Sequence, residues 1–346
     1  MTGFLHDTLE AILEATWGGA TALLDALWER RALLVSGKGG VGKTTLTAAL
    51  ARAAVAAGRR VLLAEVEVGA DEQDSPSALG ALVGAPRVSG SGVHEVSPGL
   101  SFVRLSPVEG QRLFLQDVLP LRVMAEAAMR TRALRRFLEA APALREMGVL
   151  FQMLHLVRRT RPDGSPLYPL CILDLPATGH ALAIAALPDT LLSLIPGGPI
   201  GRSVREGLSL LRDPKLTGAL LVTLPEPLPV SETLELATAI QRHRIPIAAG
   251  VLNRMPDNPF SPDGRAAVER LLDEHGPHLG QRALGRLDRA REAQARLAGH
   301  LPAPLLTLPE LPGSGPELVQ RLATHLARPT VPPTSPPRSA RAGAPS

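Results

Sequence analysis

The sequence predicts a doubly wound α/β fold built on one mostly parallel sheet. Two observations along the whole chain carry that expectation. Short apolar runs recur, and they alternate with helix-forming stretches. A third observation is local. A glycine-rich loop separates the first apolar run from the first alanine-rich helix, at the carboxyl end of a strand, where such sheets bind their ligands.

Taken in order, residues 1–30 form an N-terminal amphipathic segment of one or two helices. Phe4, Leu5, Leu9, Ile12, Leu13 and Trp17 fall near helical spacing. Its polar side lacks the basic residues of a membrane-surface helix, so it is expected to pack on the main domain. "RALLVSG" reads as a buried parallel strand and "KTTLTAALARAAVAAG" as a helix ending at Gly58. "RRVLLAEVEV" is a second strand, which completes a βαβ unit. Residues 110–160 have helical periodicity throughout and hold Met124, Met129, Met147 and Met153, four of the six methionines. "LYPLCILDLP", "ALLVTLP" and "IPIAAGVLNRMP" are further strands, the last two separated by the helix "SETLELATAIQRHR". "HLPAPLLTLPELPG" supplies the final strand and its loop. The Pro/Ser-rich tail, 328–346, is expected to be disordered. The main domain is therefore residues 31–327, with the helical region 110–160 inserted in it.

Composition narrows the function. The 37 basic and 33 acidic residues give a formal net charge of only +4, which does not suggest nucleic-acid binding. Cys171 is the single cysteine, so an intrachain disulfide or a paired-cysteine metal site is excluded. It lies in an apolar run and reads as a small buried hydrophobe. The first thirty residues carry Asp7, Glu10, Glu14 and Asp25 and do not read as a signal peptide. No uncharged apolar run reaches the roughly 18 residues of a spanning helix. A cytoplasmic protein without a transmembrane segment is expected.

Only three of the 37 basic residues are lysine, and two of them, Lys38 and Lys43, lie within a span of six residues in "GKGGVGKT". A chain that uses arginine almost everywhere else keeps lysine where a compact ammonium on a slim stem is needed. Gly37 to Thr44 match G-x-x-x-x-G-K-[ST], with a strand before and a helix after, the context in which a phosphate-binding loop is expected. Gly37, Gly39, Gly40, Val41 and Gly42 would turn backbone N–H groups onto phosphate oxygens. Lys43 would reach the β- and γ-phosphates, and Thr44 and Thr45 open a helix whose N-terminus favours anions. The Thr44 hydroxyl and the Asp174 carboxylate, at the end of "CILDLP", form the expected Mg²⁺ site.

"KGGVGKTT" resembles the deviant phosphate loop of the dimeric ATPases that include MinD, ParA and the ArsA-type proteins. The resemblance implies that Lys38 reaches across a dimer interface to the partner's nucleotide. "DLPATGH" is similar to the second switch of the ArsA-type ATPases, with Asp174, Pro176, Thr178, Gly179 and His180 in place. "FLEAAPALREM" resembles that family's helical segment, with Pro142 and Glu146 aligned. "LVTLPEPLPVSETLEL" looks like its segment after the second switch, including Pro225, Glu226 and Glu232. By the same likeness Asn253 recognises adenine through its amide, and the late loop "LPELPGSGPEL", beginning beside Pro309, closes over the base. The likeness spans roughly residues 31–327.

One departure stands out. The family carries an aspartate that positions the attacking water where this chain reads "AEVEVGADEQD". Glu67 aligns with it, Glu65 lies two residues earlier on the same strand face, and Asp71 is another acid in reach. The cysteines of zinc-bridged or arsenite-sensing relatives are absent. The resemblance implies an ATP- and Mg²⁺-dependent ATPase with Lys38, Glu67 and Asp174 as catalytic residues. It would act as a nucleotide-gated switch, a homodimer or a heterodimer with a related ATPase. Its helical region would meet a protein client or membrane-associated partner. The alternative is an ATP-binding adaptor, one half of a heterodimer, with little hydrolysis of its own.

Overall fold

The computed structural model describes residues 21–66, 77–86, 92–118, 142–176, 186, 189, 192–193, 197–275 and 279–327. Its centre is an eight-stranded sheet in the order β3-β4-β2-β5-β1-β6-β7-β8. The strands are β1 (Ala32–Gly37), β2 (Val61–Val66), β3 (His94–Ser97), β4 (Leu100–Leu105), β5 (Leu170–Asp174), β6 (Thr217–Thr223), β7 (Ile247–Met255) and β8 (Leu305–Pro309). All neighbours pair in parallel except β3 with β4, an antiparallel edge. The predicted doubly wound fold is the observed one.

The central strands are buried on both faces. The burial of β1, β5 and β6 is continuous along each strand, which is why their sequences read as apolar runs and not as alternating ones. Helices cover both sides. The helix over residues 21–28 (α1), α2 (Lys43–Ala56), α3 (Ala78–Val83) and α10 (Gly315–Ala327) enclose one core with the sheet, around Leu33, Leu46, Leu50, Leu63 and Ile172. From the N-terminal segment, Leu24, Leu27 and Trp28 are buried in that core, and residues 1–20 lie outside the described residues. On the other face α4 (Pro107–Val118), α5 (Pro142–Arg158), α6 (Gly198–Arg212), α7 (Pro227–Arg242) and α9 (Leu279–His300) contribute to a second core, and α8 (Pro262–His275) packs against α9. The second core there includes Leu62, Met147, Met153, Leu173, Leu221, Leu236 and Leu297.

Two helices of the region 110–160 are described, α4 and α5. They cross so closely that a Cβ on Gly110 would fall 1.7 Å from the Gly148 carbonyl oxygen. A Cβ on Gly148 would fall 2.2 Å from that of Pro107. Small residues set this approach. Met147 and Met153, both on α5, are buried in the core, whereas Met124 and Met129 lie outside the described residues.

β3 and β4 were not expected from the sequence. "VHEVSPGLSFVRLS" is short and partly polar, and only β4, at Leu100, Phe102, Val103 and Leu105, is firmly buried. Its strand character comes from pairing with β2, a contact between distant segments that local periodicity does not report. The helices α8 and α9 also had no counterpart in the reading of the sequence.

Candidate nucleotide site

The register of the sheet assembles the site. Asp174, the last residue of β5, is level with Val35 on β1 and with Glu65 on β2. The phosphate loop leaves β1 two residues beyond Val35 and enters α2. Gly37 has φ 152°, and a Cβ there would sit 2.3 Å from the Val222 carbonyl oxygen on β6. Only glycine lets β1 run this close to β6 and then turn. Gly42 caps α2 in the left-handed region at φ 92°. A Cβ on it would fall 2.5 Å from Asn253 Nδ2. Gly39 and Gly40 are exposed at the turn and Val41 is buried.

Asn253 explains the tightness at Gly42. Its Nδ2 donates to the Val41 carbonyl at 2.8 Å, and the side chain is buried. The end of β7 therefore braces the middle of the loop. That bond uses one amide hydrogen. Pro309 closes β8 opposite Met255, and the next residue, Glu310, donates its N–H to the Met255 carbonyl at 2.9 Å.

Lys43 opens α2 and donates from Nζ to the Lys38 carbonyl at 2.9 Å. Burial lowers its pKa, while the Asp174 charge opposes that shift. Thr44 and Thr47 lie on successive turns of the same face of α2. The Thr44 side chain hydrogen-bonds to Asp174, and Thr47 Oγ1 lies 3.3 Å from Asp174 Oδ1. Thr47 Oγ1 is also 2.8 Å from the Lys43 carbonyl, so one hydroxyl hydrogen serves two acceptors. Thr45 follows in the first turn, half-buried.

Asp174 is 8% exposed. Burial pushes its carboxyl up from 3.8 to about 6, against the hydrogen bond of Thr44 and the charge of Lys43, with the Glu65 charge adding to the rise. A carboxylate kept in this setting gains from a hard cation. Asp174 and the Thr44 hydroxyl are both oxygen donors, and Mg²⁺ takes few protein ligands and completes its shell with water and phosphate oxygens. These residues fit Mg²⁺. Among the described residues no group of three or more His, Cys, Asp or Glu side chains could hold a metal ion by itself.

Lys38 is half exposed and forms an ion pair with Glu232 on α7. The two lysines of the loop thus face different surroundings, Lys43 inward and Lys38 outward.

Glu65 has a use the sequence did not reveal. It accepts from the Leu79 N–H at 3.1 Å and from the Ser77 hydroxyl, at the start of α3, and lies 3.9 Å from Arg104 Nε. It ties the start of α3 to the end of β2. Thr47 was also missed, although its i+3 spacing from Thr44 was a signal. Glu67, Asp71, Thr178, Gly179 and His180 lie outside the described residues, and Pro176 ends the described stretch after β5. Cys171 is buried in β5, and burial raises its thiol to about 12, which removes it from reactive chemistry. No helix among the described residues is long and apolar enough to cross a membrane.

A glycine-rich loop between a parallel strand and a helix, with a lysine and a buried aspartate converging on it, defines a nucleotide-binding α/β domain. Residues 32–300 match the CobQ/CobB/MinD/ParA nucleotide-binding domain, and the chain belongs to that family. It is 31% identical over 252 residues to the ATPase BagA of Mycobacterium tuberculosis, covering 71% of this chain and 72% of that protein. The same identity and coverage hold for the Mycobacterium bovis protein Mb3704. A Streptomyces coelicolor protein, SCO2128, is 30% identical over 165 residues, 46% of this chain and 38% of its own length.

Proposed function

We propose that the protein is an ArsA-like, Mg²⁺-dependent ATPase that acts as a nucleotide-gated dimer. The observation that carries this reading is the buried Asp174 beside Thr44 and Lys43, a carboxylate held against its preference for water. Thr44 and Asp174 would hold the metal, directly or through its water, and bound Mg²⁺ would neutralise charge on the β- and γ-phosphates. Lys43 binds those phosphates, and the loop N–H groups orient them. Lys38, exposed and at the mouth of the loop, exchanges Glu232 for the partner's nucleotide when two protomers close. Glu67, or Asp71, positions the attacking water. The family membership and the BagA relative, named as an ATPase, support hydrolysis as the activity. The helical region 110–160 is where a protein client or membrane-associated partner senses closure.

Phosphate release at saturating Mg²⁺·ATP tests the reading, with Glu67→Gln in parallel. The parent turns ATP over, and Glu67→Gln keeps ATP while losing turnover, because an amide is a poor proton acceptor. The second reading, a nucleotide-binding adaptor, is favoured by the glutamate at position 67 where relatives of the ArsA type use aspartate. Full occupancy without turnover, with candidate partners supplied, would establish it instead.

A further inference from the structure

The C-terminal half of α5 carries a groove of about 270 Å³. Arg31, just before β1, donates from its side chain to the Val157 carbonyl, so the groove lies at the opposite end of β1 from the phosphate loop. Phe151, Leu154, His155 and Arg158 line it at i, i+3, i+4 and i+7, one face of the helix, and Arg159 and Thr160 extend its rim. Its floor is apolar. Phe151 meets Phe114 of α4 edge-on, with ring centroids 5.3 Å apart. Leu154 is buried against Gly207 of α6, where a Cβ would fall 2.4 Å from its Cδ1. The rim is basic. His155 and Arg159 are exposed. Arg158 has one acid nearby, Glu206, with Nη1 3.6 Å from Oε2. Its Nη2 is buried and has no hydrogen-bond partner among the described residues. A helix C-terminus favours cations. That preference does not account for a buried guanidinium nitrogen left without an acceptor, nor for the apolar floor beside it.

We infer that this groove is the docking site of the chain's own N-terminal segment, residues 1–20, which lies in it as an amphipathic helix. Charge, pattern and reach single out that occupant. Residues 1–20 hold Asp7, Glu10 and Glu14 and no lysine or arginine. Leu9, Leu13 and Trp17 recur at i, i+4 and i+8, and Glu10 and Glu14 each follow a leucine by one residue, so an apolar row runs beside an acidic one. A groove with an apolar floor and a basic rim is the complement of such a helix. The segment leads directly into α1, and Arg31, three residues beyond α1, touches Val157 beside the groove. Gly18 and Gly19 form a helix stop between the segment and α1. Turned back there, residues 4–17 span about 21 Å as a helix, against about 12 Å for α1, which is long enough to return past Arg31 to the groove. Docking gives Arg158 Nη2 a carboxylate and covers the apolar row.

The test uses the full chain with two introduced thiols. Cys171 is buried, so it does not compete for a maleimide. Ala11 lies off both rows, and Thr160 lies on the groove rim. In Ala11→Cys with Thr160→Cys, a short bismaleimide should link the two positions within one chain. The link should form about tenfold faster than in Ala11→Cys with Leu271→Cys, whose second thiol is exposed on α8. Adding Glu10→Arg and Glu14→Arg should slow the link to position 160 about tenfold at low salt, through the loss of two ion pairs. Arg158→Glu with Arg159→Glu should slow it as much, and all four reversals together should restore it to within about threefold. Should the α5 reversals unfold the chain, those at positions 10 and 14 decide the question by themselves. Equal rates to positions 160 and 271 overturn the inference, since the segment would then have no fixed seat. Links formed only between chains overturn it in favour of a second copy's segment. An unchanged rate in the Glu10→Arg, Glu14→Arg chain overturns the charge match on which the occupant was chosen. Four reversals that leave the chain folded but the rate low overturn it too, because the two sets of charges would then act apart.

Discussion

The phosphate site and the groove on α5 are built in opposite ways. At the phosphate site, Gly37 to Thr44 are one continuous segment, and the charged groups they meet are buried, with Asp174 8% exposed and Lys43 shielded enough to lower its pKa. At the groove, the basic groups come from one helix, and His155 and Arg159 are exposed. Buried charge at one site is held in readiness for a ligand that brings the countercharge. Exposed charge at the other costs little without a ligand and gains little from electrostatics alone, so docking there also needs the apolar floor. Changes to buried charge are therefore expected to have large effects and changes to exposed pairs small ones.

The largest effect should come from Lys43. Lys43→Ala removes the main countercharge to the β- and γ-phosphates, at least two charge-assisted bonds. Binding of both ATP and tripolyphosphate, which has the phosphates and no base, should fall about 1,000-fold, or roughly 4 kcal/mol. The fold should tolerate the change, because the ammonium is partly desolvated in the free protein. Calorimetry and thermal melting check the two halves. Tight tripolyphosphate binding by the variant would break the comparison.

Asp174→Asn is next. In the folded chain Asp174 titrates near 6, above its ordinary 3.8. Between those values the folded state holds more protons than the unfolded one, so this group's contribution to stability falls as pH rises from about 4 to about 6, and stays low above. The shift corresponds to up to about 3 kcal/mol at neutral pH. The amide has no charge to bury. Asp174→Asn should therefore be more stable than the parent at pH 7.5, with the difference vanishing near pH 4, while Mg²⁺-dependent turnover is lost. Melting curves across pH measure the first and phosphate release the second. A variant less stable than the parent at neutral pH would mean that the Thr44 and Lys43 contacts outweigh burial.

Asn253→Ala should cost about 2 kcal/mol of stability, because it strips the buried Val41 carbonyl of its donor. It should weaken ATP and tripolyphosphate together. If the rest of the amide also reads adenine, the ATP-over-GTP preference relaxes as well. An unchanged melting temperature would show that the loop does not depend on this brace.

These contrasts follow what was legible in the sequence. The phosphate loop, β1, α2, β5 and Asp174 could be read directly, because a glycine pattern and continuous apolar runs encode them locally. Lysine scarcity singled out Lys38 and Lys43. The β3–β4 edge, the anchoring by Glu65 and the α4–α5 crossing could not be read, since each depends on a partner far along the chain. Gly110 and Gly148 look like ordinary helix residues until the two helices meet. Arg254 is the clearest case. Nothing about arginine at that position announces a left-handed backbone, which arises from the slip in strand register against β8.

The smallest effect concerns Glu232, and it tests how Lys38 moves between chains. The Lys38–Glu232 pair is solvent-accessible, with side chains 48% and 25% exposed. Such pairs contribute about 0.2–1 kcal/mol. Glu232→Gln should therefore shift the melting temperature little and leave ATP affinity in the isolated chain unchanged. If Lys38 leaves Glu232 to reach the partner's phosphates, the pair opposes closure by its own small stability. Removing it should tighten the ATP-bound dimer, by up to about fivefold for each protomer, because 1.4 kcal/mol is a factor of ten. Each protomer breaks one pair, so the two factors multiply. Sedimentation at several protein concentrations with a non-hydrolysable ATP analogue reads the constant, and added salt should erase the difference, as screening weakens the parent's pair. A looser dimer would mean that Glu232 itself contributes to the interface. An unchanged dimer constant at low salt would mean that Lys38 keeps its partner through closure and does not cross.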